Sequence, residues 1–516
     1  MPQEYFCYKC RILLIGDAMK MFGAFVVVVS ICCVWDVGQT AYSEIHINTA
    51  EELARGLAQN PSGSFVLCED IKLPHDWASP SFSGVLDGSG YTISGAANEL
   101  FSYMENAAVR NLVLAAFDIT APTAMQDELS VGILARAAIN STIENITVIG
   151  GKVSANAVFT GSGAVGGLLG KGTNLQIFDV RLSNMQIDVG MVRTAGGLAG
   201  SLEDSEVENI ALSGIEMGSK ARTTGGLVGY AQNSNFTECA VELAQVTGIY
   251  FAGGFVGYVD KGGIFTNSYS VANVNGAITG GFVAKSHGKS TDKRTPHAIR
   301  FENCRAWGNV YASTKMIWEL QGREKLYNLA GGFAGISSYT IIMNCISGAN
   351  TLAKSGDAGG FACWVTDRSQ IINTRAKGNV AALRGAAGGF VGKISGSSRI
   401  EFSHAAGLVQ GCTNVGGFVG VISADGEPNT ISESITTSRA VAGRENVRRF
   451  AGLLLHDGVN GCHAYLGMVV ILDGKLAHVT PGGFGADGAD IRDWPQASSY
   501  MPVDCRNPWL RAWLCA

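Results

Sequence analysis

Charge is scarce in this chain of 516 residues: Asp, Glu, Lys and Arg together make up 16%, against about 25% in an ordinary globular domain. The formal net charge is only -5. That excludes any general attraction to nucleic acid or acidic lipid, so neither is expected as a partner. An apolar content of 47% is too high for a disordered chain. The eight histidines are scattered, with no pair at helical spacing and no HExxH motif, which leaves no metalloprotease signature. A GxSxG nucleophile elbow is also missing. Long helical periods are absent from the body of the chain, so a helical bundle is excluded.

Long apolar runs are lacking too. The run Met21 to Trp35 holds 15 residues behind Lys20, short of the roughly 20 that span a bilayer. Small and polar residues around Gly38, Gln39, Thr40 and Ala41 follow it. Residues 1–41 therefore read as a signal peptide in preference to an uncleaved anchor, with Met19 or Met21 as an alternative start. Membrane contact is expected only through this signal, and the chain is expected outside the cell or on its surface. Nine cysteines follow, from Cys68 to Cys515, too widely spaced for a zinc site or a dense disulfide framework.

Glycine is abundant instead: 68 residues, nearly twice the usual share of about 7%. Much of it recurs in one motif, GG[LF]xG, or GG[LF]xA and GG[LF]xC, beginning at Gly166, Gly196, Gly225, Gly253, Gly280, Gly331, Gly359, Gly388 and Gly416. Successive starts lie 30, 29, 28, 27, 51, 28, 29 and 28 residues apart. Weaker copies begin at Gly132 and Gly452. So steady a period predicts stacked supersecondary units. Thirteen or 14 residues after the first glycine stand Asn145, Asp179, Asn209, Glu238, Asn267, Asn344 and Asn373, with Asn303 in the same place once an insertion is allowed for. Asparagine tolerates left-handed backbone angles, and stacked amides form ladders, so this position reads as a corner. The glycine pair reads as a site of positive φ or close backbone approach. Short alternating segments such as Cys239–Leu243 fit half-buried strands.

A unit of about 28 residues accommodates three strands of the usual ~5 residues with corners. The predicted fold is all-β: a parallel β-helix of ten or more coils, rising about 4.8 Å per coil. Thr49-Ala-Glu-Glu52 reads as a capping box opening a helix to Gln59, with Leu53 and Leu57 inward, as the N-terminal cap. The expected layout is a cap and lead-in over 42–130, repeats over 131–455 and a C-terminal cap over 456–516. Cys304 and Cys345 hold one register position in adjacent coils, within disulfide reach, although buried free thiols fit that position equally.

The 51-residue interval carries two insertions, near 285–300 and 312–328. Their basic and aromatic residues, Lys285, Lys289, Lys293, Arg294, Arg300, Trp318 and Tyr327, form a candidate binding loop for an anionic glycan or an acidic protein surface, against the plainer reading of a solvated loop pair. Gly161-Ser-Gly-Ala-Val-Gly166 matches a dinucleotide fingerprint, but its last glycine opens a repeat, so no cofactor is implied.

With the repeats on the page, the chain resembles the GLUG motif proteins, exported bacterial repeat proteins associated with adhesin-like surface proteins and with the non-catalytic part of some immunoglobulin A proteases. The lead-in residues Glu51-Glu52-Leu53, Asp70-Ile71, Trp77, Phe82 to Ile93 and Val109 to Leu112 are similar to that family's. The resemblance spans residues 44 to about 455 and implies a β-helical exported protein with no catalytic residues. The expected function is an adhesin-like binding module rather than an enzyme, with host or bacterial glycans or surface proteins as partners. The alternative is a β-helical polysaccharide lyase or glycoside hydrolase, in which Asp87 would be the carboxylate to examine, although a turn role suits it better.

Overall fold

The computed structural model describes residues 44–121, 129–155, 163–289, 299–313, 316–320, 323–425, 428–456, 458–477 and 485–491. Residues 1–43, which include the expected signal peptide, and the last 25 residues, with Cys505 and Cys515, lie outside them. The described residues from Glu44 to Ile491 belong to one compact unit, a parallel β-helix. A short strand, Ile45–Ile47, opens it and is followed by an α-helix, α1 (Ala50–Gln59). Thr49 caps that helix by accepting from the Glu52 amide at 3.2 Å, while Leu53 and Leu57 are buried.

Three parallel sheets make the walls, one with 13 strands, one with 11 and a long composite one with 36. Each coil runs from the eleven-stranded sheet through the glycine pair into the thirteen-stranded sheet, and then turns twice along the long sheet. The register is strict: Gly225 lies opposite Gly253, Gly253 opposite Gly280, and Gly280 opposite Gly331, across the insertion.

The motif glycines owe their identity to contact, not to backbone angle. None of the motif pairs has a positive φ. A Cβ on Gly359 would meet the Ala362 carbonyl oxygen at 1.9 Å, and one on Gly360 would meet the Gly389 carbonyl oxygen of the next coil at 2.1 Å. The residue after the pair fills the core. Phe255, Phe282, Phe333, Phe361, Phe390, Phe418 and Phe450 stack ring on ring at 4.4 to 5.0 Å. A second stack, Phe236, Phe265 and Phe301, meets the first edge to face. Such pairs add about 0.5–1.5 kcal/mol each beyond area burial.

The asparagine position is a left-handed corner. Asn145, Asp179, Asn209, Glu238, Asn267, Asn303, Asn344 and Asn373 have φ between +51° and +56°. Their amides bond between coils: Asn145 donates to Asn111 at 2.9 Å, Asn303 to Asn267 at 3.2 Å, Asn373 to Asn344 at 2.7 Å, and Asn209 to Asp179. The next residue has its own task. The Cys239 amide donates to Ser268 Oγ, that of Cys304 to Cys345 Sγ, and that of Thr374 to Ser403 Oγ. Ser, Thr and Cys therefore interchange here because each is a small, buried acceptor for a corner N–H. Cys304 and Cys345 are free thiols, not a disulfide. Burial raises the Cys345 thiol above its usual range and pushes Cys239 up to about 12, so both stay protonated.

One half-buried titratable group ties stability to pH. His404, hydrogen-bonding distance from Thr437 Oγ1 at 2.6 Å, is held down to about 4, first by desolvation and then by Arg375 and Lys377. The folded state thus keeps the imidazole neutral, whereas the unfolded chain protonates near 6.5. The contribution is complete above pH 6.5 and declines as pH falls toward 4, by up to about 3 kcal/mol. Thermal unfolding followed from pH 7 to pH 4 should show a falling Tm, and His404→Gln should flatten that slope.

Candidate functional site

Outward-facing residues of the thirteen-stranded sheet form a stripe along the coil axis. Each is the residue directly after a five-residue glycine motif, because the motif ends in the strand and the next side chain points to solvent. In order the stripe reads Tyr230, Tyr258, Lys285, Ile336, Trp364 and Lys393, held in register strand by strand. Five steps of about 4.8 Å give it a length of roughly 24 Å.

At its centre the Lys285 ammonium lies 5.0 Å from the Tyr258 ring centroid and 5.7 Å from that of Phe251, which belongs to the adjoining sheet. Tyr230 meets Tyr258 edge to face at 5.7 Å. Burial lowers the Lys285 ammonium from its ordinary value, and the carboxylates of Asp260 and Asp367 act in the opposite sense. Burial, with Asp260 second, pushes the Tyr258 phenol up to about 12 and raises Tyr230 as well. Tyr230 donates to Asp260 Oδ2 at 3.1 Å. Beside Lys285, His287 Nδ1 stands 3.1 Å from Ser338 Oγ, which donates to Asp367 Oδ2 at 2.8 Å. Farther along, Lys393 sits 5.7 Å from the Trp364 ring, and Trp364 Nε1 donates to Asp357 at 3.0 Å. The result is a row of flat apolar walls with the partly dehydrated Lys285 ammonium at its centre and Lys393 beside its last ring. Such a surface takes carboxylates and planar or apolar groups in alternation.

The sequence-derived binding loop is redistributed. Lys285 lies in the strand Val283–Gly288, on the stripe, not in a loop. Lys289 follows that strand and is exposed. Arg300 lies in Ile299–Glu302, on the long sheet, paired to Glu302 at 3.1 Å. Lys293 and Arg294 lie outside the described residues. Trp318 and Tyr327 fall in an antiparallel hairpin, Met316–Leu320 with Arg323–Tyr327, with Trp318 opposite Lys325. Asp87 bonds to the Ser89 amide, Arg110 and Asn111, as a turn residue would. Sequence reasoning missed Tyr230, Tyr258, Trp364 and Lys393, although the position after each motif was open to inspection.

No family model matches the chain. One curated relative, an immunoglobulin A1 protease from Streptococcus sanguinis, is 29% identical over 228 residues, covering 43% of this chain. The chain spans about 10% of that relative's length. Among solved structures, an IgA1 protease aligns over 58% of this chain and 21% of its own, with 18% identity and a TM-score of 0.34. The catalytic domain of a GH87 α-1,3-glucanase in complex with nigerose aligns over 82% and 66%, with 9% identity and a TM-score of 0.28. The sequence match corrects one expectation. A non-enzymatic role was read from missing motifs, yet the relative found by sequence is named for a protease, so that exclusion is withdrawn. Motif absence is weak ground in a β-helix, where side chains from distant coils meet on one face.

Proposed function

We propose that this coil stack seats an extended polypeptide substrate along the Tyr230–Lys393 stripe, within an exported enzyme of the immunoglobulin A1 protease kind. The observation that carries the reading is Lys285, partly stripped of water between Phe251 and Tyr258 at the middle of a rigid row. A polymer lying along the axis would meet an aromatic or cationic group at most steps, and the walls are already positioned by the sheet, which lowers the ordering cost of binding. Export is part of the proposal and rests on the run Met21 to Trp35. The sequence similarity to an immunoglobulin A1 protease supports a protein as the seated substrate. An adhesin role as such has no support in the comparisons and is not carried forward.

The test uses the full chain with immunoglobulin A1 and, in parallel, with free neutral and acidic oligosaccharides. Retention of the immunoglobulin, with or without cleavage, should fall at least tenfold in Tyr258→Ala and in Lys285→Met while Tm holds. Retention indifferent to both changes, or confined to free oligosaccharides, overturns the proposal.

A further inference from the structure

A different face carries a second site. On the long sheet, three adjacent coils present Gln245, Asn273, Val274, Asn275, Asn309 and Tyr311 around a shallow cavity of about 270 Å³. They come from the strands Ala240–Thr247, Tyr269–Gly276 and Asn309–Ala312, in register so that Gln245 lies opposite Asn273 and Asn275 opposite Tyr311. None of the lining residues is charged. Four of the six carry amides, and Tyr311 is 40% exposed.

The amides are held in fixed orientations. Asn309 Nδ2 donates to Asn273 Oδ1 at 2.9 Å, and the Asn309 backbone amide donates to the same oxygen at 3.1 Å. Asn350 Nδ2 donates to Asn309 Oδ1 at 3.2 Å, and the ladder continues through the Asn379 amide onto Asn350 Oδ1. Gln245 Nε2 donates to Thr247, and Asn275 Oδ1 accepts from Ser313. These bonds leave Gln245 Oε1 as an acceptor, with Asn275 Nδ2 and the second Asn309 N–H as donors, at the mouth of one cavity. An uncharged acceptor on Gln245, held by Thr247, and uncharged donors on Asn275, held by Ser313, and on Asn309, held by the ladder, match neighbouring hydroxyl groups, each of which gives and takes a hydrogen bond. The exposed ring of Tyr311 supplies a flat apolar surface for the C–H face of a pyranose. The volume falls just below the roughly 300 Å³ at which pockets for drug-sized ligands begin, which suits a single sugar unit.

We propose that this pocket binds a neutral sugar, one residue of a glycan chain, independently of the stripe around Lys285. Its test is saturation-transfer NMR and titration calorimetry on the full chain, with maltotriose, methyl β-galactoside, chitobiose and, as the charged comparison, glucuronate. At least one neutral sugar should bind, and Tyr311→Ala should weaken it tenfold or more. Tyr311→Phe keeps the ring and should hold affinity within about twofold. Asn275→Ala, which removes a donor outside the ladder, should weaken binding with an unchanged Tm. Lys285→Met should have no effect, so failure here and failure of the stripe are separable. The proposal is overturned if no neutral sugar binds, if binding survives Tyr311→Ala, or if glucuronate binds best and its affinity falls with salt.

Discussion

Gly359→Ala should be among the most damaging single methyl additions in this protein, costing more than about 4 kcal/mol, beyond the usual range for a point change. The added Cβ would lie 1.9 Å from the Ala362 carbonyl oxygen and 2.7 Å from the Gly392 amide nitrogen of the next coil. Neither is a flexible side-chain end. Both atoms belong to the backbone, so two strands must separate and the stacking of Phe361 on Phe390 and on Phe333, both at 5.0 Å, is disturbed with them. In a one-dimensional stack a fault at one coil uncouples its neighbours, and the readout is therefore local as well as global. Hydrogen exchange should accelerate in the coils on either side, and urea unfolding should divide into two transitions. Gly218→Ala is the control. It is an exposed strand glycine whose nearest contact is a side-chain atom of Asp188 at 3.6 Å, so the change should be neutral, or stabilising by up to about 1 kcal/mol. Equal behaviour of the two variants would show that close approach is not what selects glycine at the motif.

That contrast also marks how far the sequence could be read. The period, the corner asparagines and the N-terminal capping box were legible because each depends on local chemistry repeated at fixed spacing. Thr49 caps α1, and Asn303 keeps its corner despite the insertion before it. The reason for the glycine pair was legible only in part: positive φ is a property of one residue, whereas the clash of Gly360 with Gly389 depends on a coil 29 residues later. The stripe was hidden for a related reason. Lys285 is influenced by Asp260 and by Asp367, and only coil stacking brings these together. A search for one charge type repeated at one position passes over a row that alternates Tyr, Lys, Ile and Trp. The ladder Asn273, Asn309, Asn350 and Asn379 was missed because the interval containing both insertions breaks its spacing. The weak copy at Gly452 was read out of frame: the register places Val419 opposite Ala451 and Gly416 opposite Arg448, so the last motif is Arg448-Arg449-Phe450-Ala451-Gly452.

That last motif carries the second large effect. Where the nine full motifs have two glycines beneath a following coil, the final one has two arginines, and Arg449 is fully buried. Its Nη1 donates to Asp490 Oδ1 at 2.7 Å, its backbone amide donates to Asp487 Oδ1 at 3.4 Å, and Arg448 reaches Asp487 at 3.7 Å. The segment Gly485–Ile491 thus covers part of the open end of the stack: Ala489–Ile491 adds a strand beside His463–Tyr465, the Phe450 amide donates to the Ala486 carbonyl at 3.3 Å, and the Arg449–Asp490 ion pair ties the segment to the last motif. Breaking such a pair from one side strands the other charge, at a cost of roughly 3–5 kcal/mol, whereas replacing the buried cation by an apolar chain of similar size costs much less. Asp490→Ala should therefore destabilise the C-terminal coils more than Arg449→Met does, and the double variant should recover much of the loss. Limited proteolysis and concentration-dependent light scattering read the two consequences, an opened cap and end-to-end association. If Arg449→Met proves as damaging as Asp490→Ala and the double variant is worse than either, the side chain acts through its packing over Phe450 and not through its charge.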